Sequence, residues 1–359
     1  MKESDMFRDA VRKLKLTIPP GCAFMVTSSP DIKYLSGFYS TGEILLIPRR
    51  GPVLCFIDPM NHSLAEKELT GTGIRVVSGR SPAMSLMAGY VRKMGLRTLF
   101  FDAAGISVRT YRKMSSFFKG VKLSSRLGKL DTREHLDMVR TVKSPDEIFV
   151  LRSAARKTAA IWRHVKNLIA PGMTEIQIAG MVDAAVRDAG FENSFPTIAA
   201  AGPNSAYPHA IPGKKKLGRK EHLVVDFGLR HGLYCSDLTR IWGECRIDGQ
   251  IKALCDSVRE VQKKAIDLIE PGASIGRVAG KIDEIFQRKG LKGFVIHGLG
   301  HGIGIEVHEK PFFGTGSREV FSKGMVLTVE PGLYVPGKGG ARIEDMVLVT
   351  PKGREVLTK

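Results

Sequence analysis

The chain has 359 residues, 43% of them hydrophobic and 25% charged, which excludes a disordered or low-complexity protein and is long for a single core. Its five cysteines, Cys22, Cys55, Cys235, Cys245 and Cys255, form no C-x-x-C pair, which excludes a zinc ribbon or disulfide framework and predicts reduced, mostly buried thiols. The formal net charge of +19 admits nonspecific polyanion binding, but the densest basic run, GKKKLGRK at 213–220, has no aromatic residues to stack bases and reads as a solvated loop.

The N-terminus, MKESDMFRDAVRKLKL, is charged and lacks the apolar stretch of a secretory signal; with no run long enough to span a membrane, the reading is a cytoplasmic protein. CAFMVT, EILLIP and PVLCFID read as strands, and 61–68 and 83–94 have helical spacing. This predicts a small α/β domain over 1–130, without a glycine-rich phosphate loop or an evident catalytic cluster.

A boundary falls in the basic, polar stretch at about 125–143, and a second domain is expected over 136–359. It opens on a well-signalled helix, with Ser144 as N-cap, Pro145 in the first turn and Glu147 completing a capping box. Ile148, Leu151, Ala155, Trp162, Val165 and Ile169 form its apolar stripe, and Pro171-Gly172 is expected to stop it. Residues 167–190 then align without gaps against 267–290, with Pro-Gly, Ala-Gly, an Asp and the final Gly coinciding. Two copies predict a pseudo-symmetric domain and not a solenoid.

Chemistry concentrates in the second domain. LVVDFGLRHGLYCSDLTRIW (223–242) reads as a hairpin; a turn at Arg230-His231-Gly232-Leu233 places Asp226 directly opposite Asp237. Two carboxylates on a buried ladder must be expelled, protonated or neutralised by a cation. TVEPGLYVPGKGGARIEDMVLV (328–349) repeats the device, with Glu330 and Glu344 each seven residues from Gly337. Between them lies HGLGHGIGIEVHE, with His297, His301 and His308 on a segment whose glycines permit close backbone approach. It fits neither phosphate-loop pattern, and His308-Glu309 lacks the second histidine of H-E-x-x-H. Four carboxylates and at least one imidazole suffice for two divalent ions sharing a water.

In order and spacing, GPNSAYPHA, VVDFGLRHGLYCSDLTR, HGLGHGIGIEVHE, TVEPGLY and GARIEDMVLVT resemble the pita-bread metallopeptidases, above all the Xaa-Pro peptidases prolidase and aminopeptidase P. SSPDIKYLSGFYSTGEILLI resembles the family's smaller creatinase-type N-terminal domain. The resemblance implies an α/β (α+β) protein, a creatinase-type domain followed by a pita-bread catalytic domain. It further implies that Asp226, Asp237, His301, Glu330 and Glu344 are metal ligands, with Asp237 and Glu344 bridging. Such an oxygen-rich set suits manganese, cobalt, iron or zinc. His209 is implied to serve the leaving proline nitrogen, His297 and His308 the scissile carbonyl or tetrahedral intermediate, Glu330 as general base and Arg342 to steady its strand.

The expected reaction is dinuclear metal-dependent hydrolysis of Xaa-Pro bonds in short peptides by a homodimer. Prolidase, acting on dipeptides with a cation to hold the proline carboxylate, is favoured over aminopeptidase P. A metal-free amidinohydrolase of this fold and a noncatalytic nucleic-acid- or ribosome-associated relative sit poorly with a complete ligand set. Methionine aminopeptidase lacks the N-terminal domain.

Overall fold

The computed structural model describes residues 3–40, 42–243, 247 and 249–359, leaving Cys245 outside the described residues. The chain divides into two units, Met1–Arg140 and Thr141–Lys359, a break within the 125–143 stretch and a few residues beyond the expected limit at 130–136. No helix among the described residues is long and apolar enough to cross a membrane. Cys55, Cys235 and Cys255 are buried free thiols, and Cys22 is half-buried.

In the first unit the three apolar runs become β1 (Cys22–Val26), β2 (Ile44–Pro48) and β3 (Val53–Phe56), followed by β4 (Ile74–Val77), β5 (Thr98–Phe101) and β6 (Lys122–Ser124). They form one mixed sheet in the order β4-β3-β2-β1-β5-β6. β2 pairs antiparallel with β1 and β3, and the outer pairs are parallel. The helices are α1 (Glu3–Thr17), α2 (Ser29–Ser36), α3 (His62–Leu69), α4 (Ala83–Lys93), α5 (Val108–Phe117) and α6 (Thr132–Thr141). Met87 and Val91 of α4 and Met114 of α5 pack on Met25, Leu46, Phe56 and Leu99 of the sheet. Asp31 on α2 is buried yet paired, accepting from Arg133 Nη1 and Arg140 Nη1 at 2.8 Å each, so its charge is compensated.

The second unit opens with α7 (Pro145–Val165). Ser144 accepts from the Glu147 amide, and the Glu147 carboxylate accepts from the Ser144 amide, closing the expected capping box. The helix ends at Val165, well before Pro171-Gly172. Asn167 and Leu168 instead bond to the carbonyls three residues back, tightening the last turn.

The sequence repeat is a structural repeat. α8 (Glu175–Asp188) and α10 (Ile275–Arg288) are both 14 residues long and capped by Thr174 and Ser274. The Gly172 amide donates to Leu217 O and the Gly272 amide to Phe321 O, both at 2.8 Å, while Thr174 bridges to Lys216 and Ser274 to Val320. Each copy has its own core. One packs α7 and α8 on strands Ile198–Ala201, Leu223–Phe227 and Leu238–Trp242; the other packs α9 (Gly249–Asp267) and α10 on strands Val326–Val329 and Asp345–Thr350. The basic run at 213–220 is therefore no free loop: its backbone bonds to the start of α8 and Leu217 is buried, although Lys214, Lys216, Arg219 and Lys220 are exposed.

The first hairpin corrects the expected register. His231 pairs with Tyr234, so Gly232, at φ 58°, and Leu233 form the tip, and Asp226 faces Thr239 instead of Asp237. The turn lies one residue later than expected, which slides the partner strand by two. A two-residue slide preserves the face, so Asp237 remains diagonal to Asp226 on the same side. In the second hairpin, Val329 pairs with Asp345 and Gly332 with Arg342; this shared register sets Glu330 across from Glu344.

Candidate metal centre

Strand Leu223–Phe227 is buried on both faces, which forces Asp226 into the interior; Asp237 enters just before strand Leu238–Trp242. His301 lies on the short strand Gly300–Gly302, and close approach explains the glycines around it. A Cβ on Gly300 would sit 2.1 Å from Thr328 O, and one on Gly302 2.2 Å from Lys310 O. The His301 amide donates to Thr328 Oγ1 at 3.0 Å and the Glu330 amide to Leu299 O at 2.7 Å, tying the histidine segment to the glutamate strand.

All nine residues singled out in the sequence, Asp226, Asp237, His301, Glu330, Glu344, His209, His297, His308 and Arg342, line one cavity of about 690 Å³ within the second unit. Ligating atoms of Asp237, His301 and Glu344 lie within 4.8 Å of one another. His301 Nδ1 faces Gly302 O at 3.1 Å and so carries the proton, leaving Nε2 directed at Glu330 Oε1, 3.2 Å away, and Asp237 Oδ2, 3.8 Å away. Asp226 Oδ1, Asp237 Oδ1 and Glu344 Oε1 are buried without a hydrogen-bond partner. Three orphaned carboxylate oxygens and an imidazole lining one cavity form a donor set that fits divalent cations.

The electrostatics of the metal-free protein agree. Burial, reinforced by the charges of Glu344, Asp226 and Glu330, pushes the Asp237 carboxyl well above its ordinary range. Burial and the charges of Glu330 and Asp226 raise Glu344 to about 8. Asp226 is also raised by burial, against the pull of Arg342. Burial would raise Glu330 too, but the hydrogen bond and charge of His301, with His297 and Arg342, bring it down to about 2. Burial would lower His301, yet the hydrogen bond and charge of Glu330 and the charge of Glu344 outweigh it and raise its pKa above the ordinary value. Four carboxylates thus share too little positive charge, the deficit a cation would fill.

A directional hydrogen-bond chain surrounds the cluster. Arg342 Nη2 donates to Asp226 Oδ2 at 2.7 Å, Nη1 to Tyr334 Oη at 2.9 Å and to Pro208 O at 3.2 Å, and Nε to Thr239 Oγ1 at 3.2 Å. Burial pushes the Tyr334 hydroxyl up to about 12, so it keeps its proton and donates to His297 Nε2 at 2.8 Å. His297 Nδ1 in turn donates to Gly298 O at 2.7 Å, so both ring nitrogens are engaged. Burial lowers the pKa of His297 and of His308, whose ring lies 4.2 Å from that of His301. His209 stands exposed on the cavity wall, on the loop after Gly202–Ala206.

Several contributors escaped the sequence reading. Thr239, fully buried, donates to Glu344 Oε2 at 2.7 Å while accepting from Arg342. Glu175, at the start of α8, accepts from the Ala201 and Gly213 amides and from Asn204 Nδ2, pinning both ends of the loop that carries His209. Tyr334 lies four residues beyond Glu330, inside a motif read only for its glutamate.

Comparison with known proteins identifies the assembly. Residues 150–351, more than half the chain, match the model of metallopeptidase family M24. The chain belongs to this family. Residues 22–139 of the peptidase match the creatinase/prolidase N-terminal domain, so the small α/β unit and the pseudo-symmetric pita-bread unit are both family features. An uncharacterized peptidase of Bacillus subtilis is 29% identical over 335 residues, covering 93% of this chain and 92% of the relative. Among solved structures, an Xaa-Pro dipeptidase from Bacillus anthracis is similar with a TM-score of 0.90 and 27% identity, covering 98% of each chain. An X-Pro aminopeptidase from Thermotoga maritima is similar with a TM-score of 0.84 and 29% identity over 94% of this chain and 95% of that one. The family is metal-dependent, in keeping with the donor set.

Proposed function

We propose that the peptidase hydrolyses the bond before proline in Xaa-Pro peptides, with two divalent cations held by Asp226, Asp237, His301, Glu330 and Glu344. The observation that carries the reading is the clustering of Asp237, His301 and Glu344 within 4.8 Å, with unpartnered buried oxygens on Asp226, Asp237 and Glu344, in a cavity otherwise walled largely by apolar side chains. When bound, the cations supply Lewis acidity toward a carbonyl oxygen and toward water.

The protein's own groups divide the remaining work. Glu330, ionised beside His301, accepts the proton of the attacking water; its low pKa rests chiefly on the charged imidazole, and a neutral His301 returns it toward the range of a working base. His308, whose pKa is lowered by partial desolvation and by the charge of His301, offers an N–H to the carbonyl oxygen. His209 delivers a proton to the leaving nitrogen. His297 acts through Tyr334, which it holds against Arg342. The amide before proline has a ring nitrogen without hydrogen, so selection rests on ring shape against walls such as Phe195, Pro208 and Pro212.

The dipeptidase favoured from sequence needs a cation for the proline carboxylate. Among the described residues lining the cavity, Arg342 is the sole arginine or lysine, and all three of its nitrogens are already engaged. The test is hydrolysis of Ala-Pro, Ala-Pro-Ala and Ala-Ala-Ala by metal-stripped protein and after adding back manganese, cobalt or zinc. Metal-dependent cleavage confined to the proline peptides supports the reading; failure on both, or equal cleavage of Ala-Ala-Ala, contradicts it.

A further inference from the structure

Three large apolar side chains at the cavity lie in water: Ile211 is 90%, Ile296 61% and Phe312 57% exposed. Scattered exposed apolar residues are ordinary, but these three share one cavity, and each is tied to one of its histidines. Phe312 pairs with His301 across the two strands, and opposed residues share a face of the sheet, so both side chains line the same cavity. Its neighbour Phe313 is fully buried in the core, which fixes the strand and prevents Phe312 from turning inward. Ile296 precedes His297, and Ile211 follows His209 by two residues.

An enzyme that cuts after the first residue must let the rest of the peptide leave by the open side. Ile211, Ile296 and Phe312 form the solvent-exposed apolar part of the lining and so stand on that open side. A free proline carboxylate would meet apolar side chains there, with no unengaged arginine or lysine among the described lining residues to neutralise it. In a longer peptide that carboxylate is a neutral amide, and the next side chain reaches the apolar rim.

We infer that the rim of Ile211, Ile296 and Phe312 is a subsite for an apolar side chain on the residue after proline, so that the preferred substrates are Xaa-Pro peptides extended by a leucine- or phenylalanine-like residue. The inference rests on the Xaa-Pro reading above and narrows its substrate class.

The experiment compares kcat/KM for Ala-Pro, Ala-Pro-Leu, Ala-Pro-Asp and Ala-Ala-Leu on the manganese-loaded full chain, its Phe312→Ser variant, and Phe149→Ser as an exposed phenylalanine outside the cavity lining. Ala-Pro-Leu should exceed Ala-Pro and Ala-Pro-Asp by about tenfold, the scale of moving one apolar side chain from water onto a hydrophobic wall. Phe312→Ser should bring the leucine and aspartate peptides to within about threefold of each other, while Phe149→Ser keeps the gap. As a binding readout, the product Pro-Leu should inhibit more strongly than proline in the parent and lose that advantage in Phe312→Ser. Preference for Ala-Pro, or a leucine advantage untouched by Phe312→Ser, overturns the subsite and leaves the Xaa-Pro reading standing. Cleavage of none of the proline peptides, or equal cleavage of Ala-Ala-Leu, overturns both.

Discussion

Replacing Thr239 by valine should loosen the metal centre without altering a single proposed ligand. The side chain is fully buried and valine has nearly its shape, so the change removes hydrogen bonds more than volume. It deletes the bond to Glu344 Oε2 at 2.7 Å and leaves Arg342 Nε without the acceptor now 3.2 Å away. A hydrogen bond to a charged partner contributes about 1.5–3 kcal/mol. Only the first of these bonds orients a proposed ligand, so about 2 kcal/mol bears on the cation, or roughly thirtyfold in affinity. That falls inside the ten- to hundredfold typical of losing an outer partner of a metal ligand. Manganese affinity measured by competition with a chelator gives the number directly. Thr158→Val is the control, for Thr158 is equally buried and hydrogen-bonded to Ser236 at 2.6 Å but lies outside the cavity lining. Both variants should melt several degrees lower, and Thr239→Val alone should lose metal affinity. Affinity within twofold of the parent would refute the view that Thr239 holds Glu344 in place for the cation.

Metal loading at neutral pH should release protons, because Asp237 and Glu344 are raised and Glu344 titrates near 8 in the metal-free protein; calorimetry in two buffers of different ionisation enthalpy reads the number, and none released would contradict the assignment. For the same reason Glu344 holds more proton in the native metal-free state than in the unfolded chain between the ordinary glutamate pKa of 4.5 and about 8, so its own contribution to stability is lost as pH rises through that window: the parent's melting temperature should fall relative to that of Glu344→Gln, and a relative rise would refute the sign. Glu175→Gln should lower kcat roughly tenfold with metal content intact, by slackening the loop of His209; unchanged turnover would reduce Glu175 to a structural residue. Tyr334→Phe should likewise spare metal content while lowering kcat roughly ten- to hundredfold, since His297 Nε2 and Arg342 Nη1 both lose their tyrosine partner; full activity would remove that chain from the mechanism.

What could be read in advance follows from the range of each signal. The capping box of α7 is written in four consecutive residues, and the duplicated α8 and α10 in a periodic pattern one hundred residues apart, so both were legible. The acidic residues stood out because a carboxylate on a buried strand breaks the apolar pattern. The register of the first hairpin was not fixed by that pattern: two candidate turns around Gly232 differ by a slide of two, and both keep Asp226 and Asp237 on one face. Thr239 was invisible for the opposite reason, since threonine is an ordinary strand residue and its partners lie more than one hundred positions away. Glu175 resembles any acidic residue in a first helical turn until the loop at 201–213 folds over it.

The measurement that bears most directly on the metal centre is the metal content of the reconstituted, dialysed protein beside Asp237→Asn, by plasma mass spectrometry. The account predicts about two divalent ions per parent chain, and fewer than one in the variant with Xaa-Pro hydrolysis lost alongside. Two ions retained by Asp237→Asn, or full hydrolysis by a parent chain stripped of metal, would contradict it.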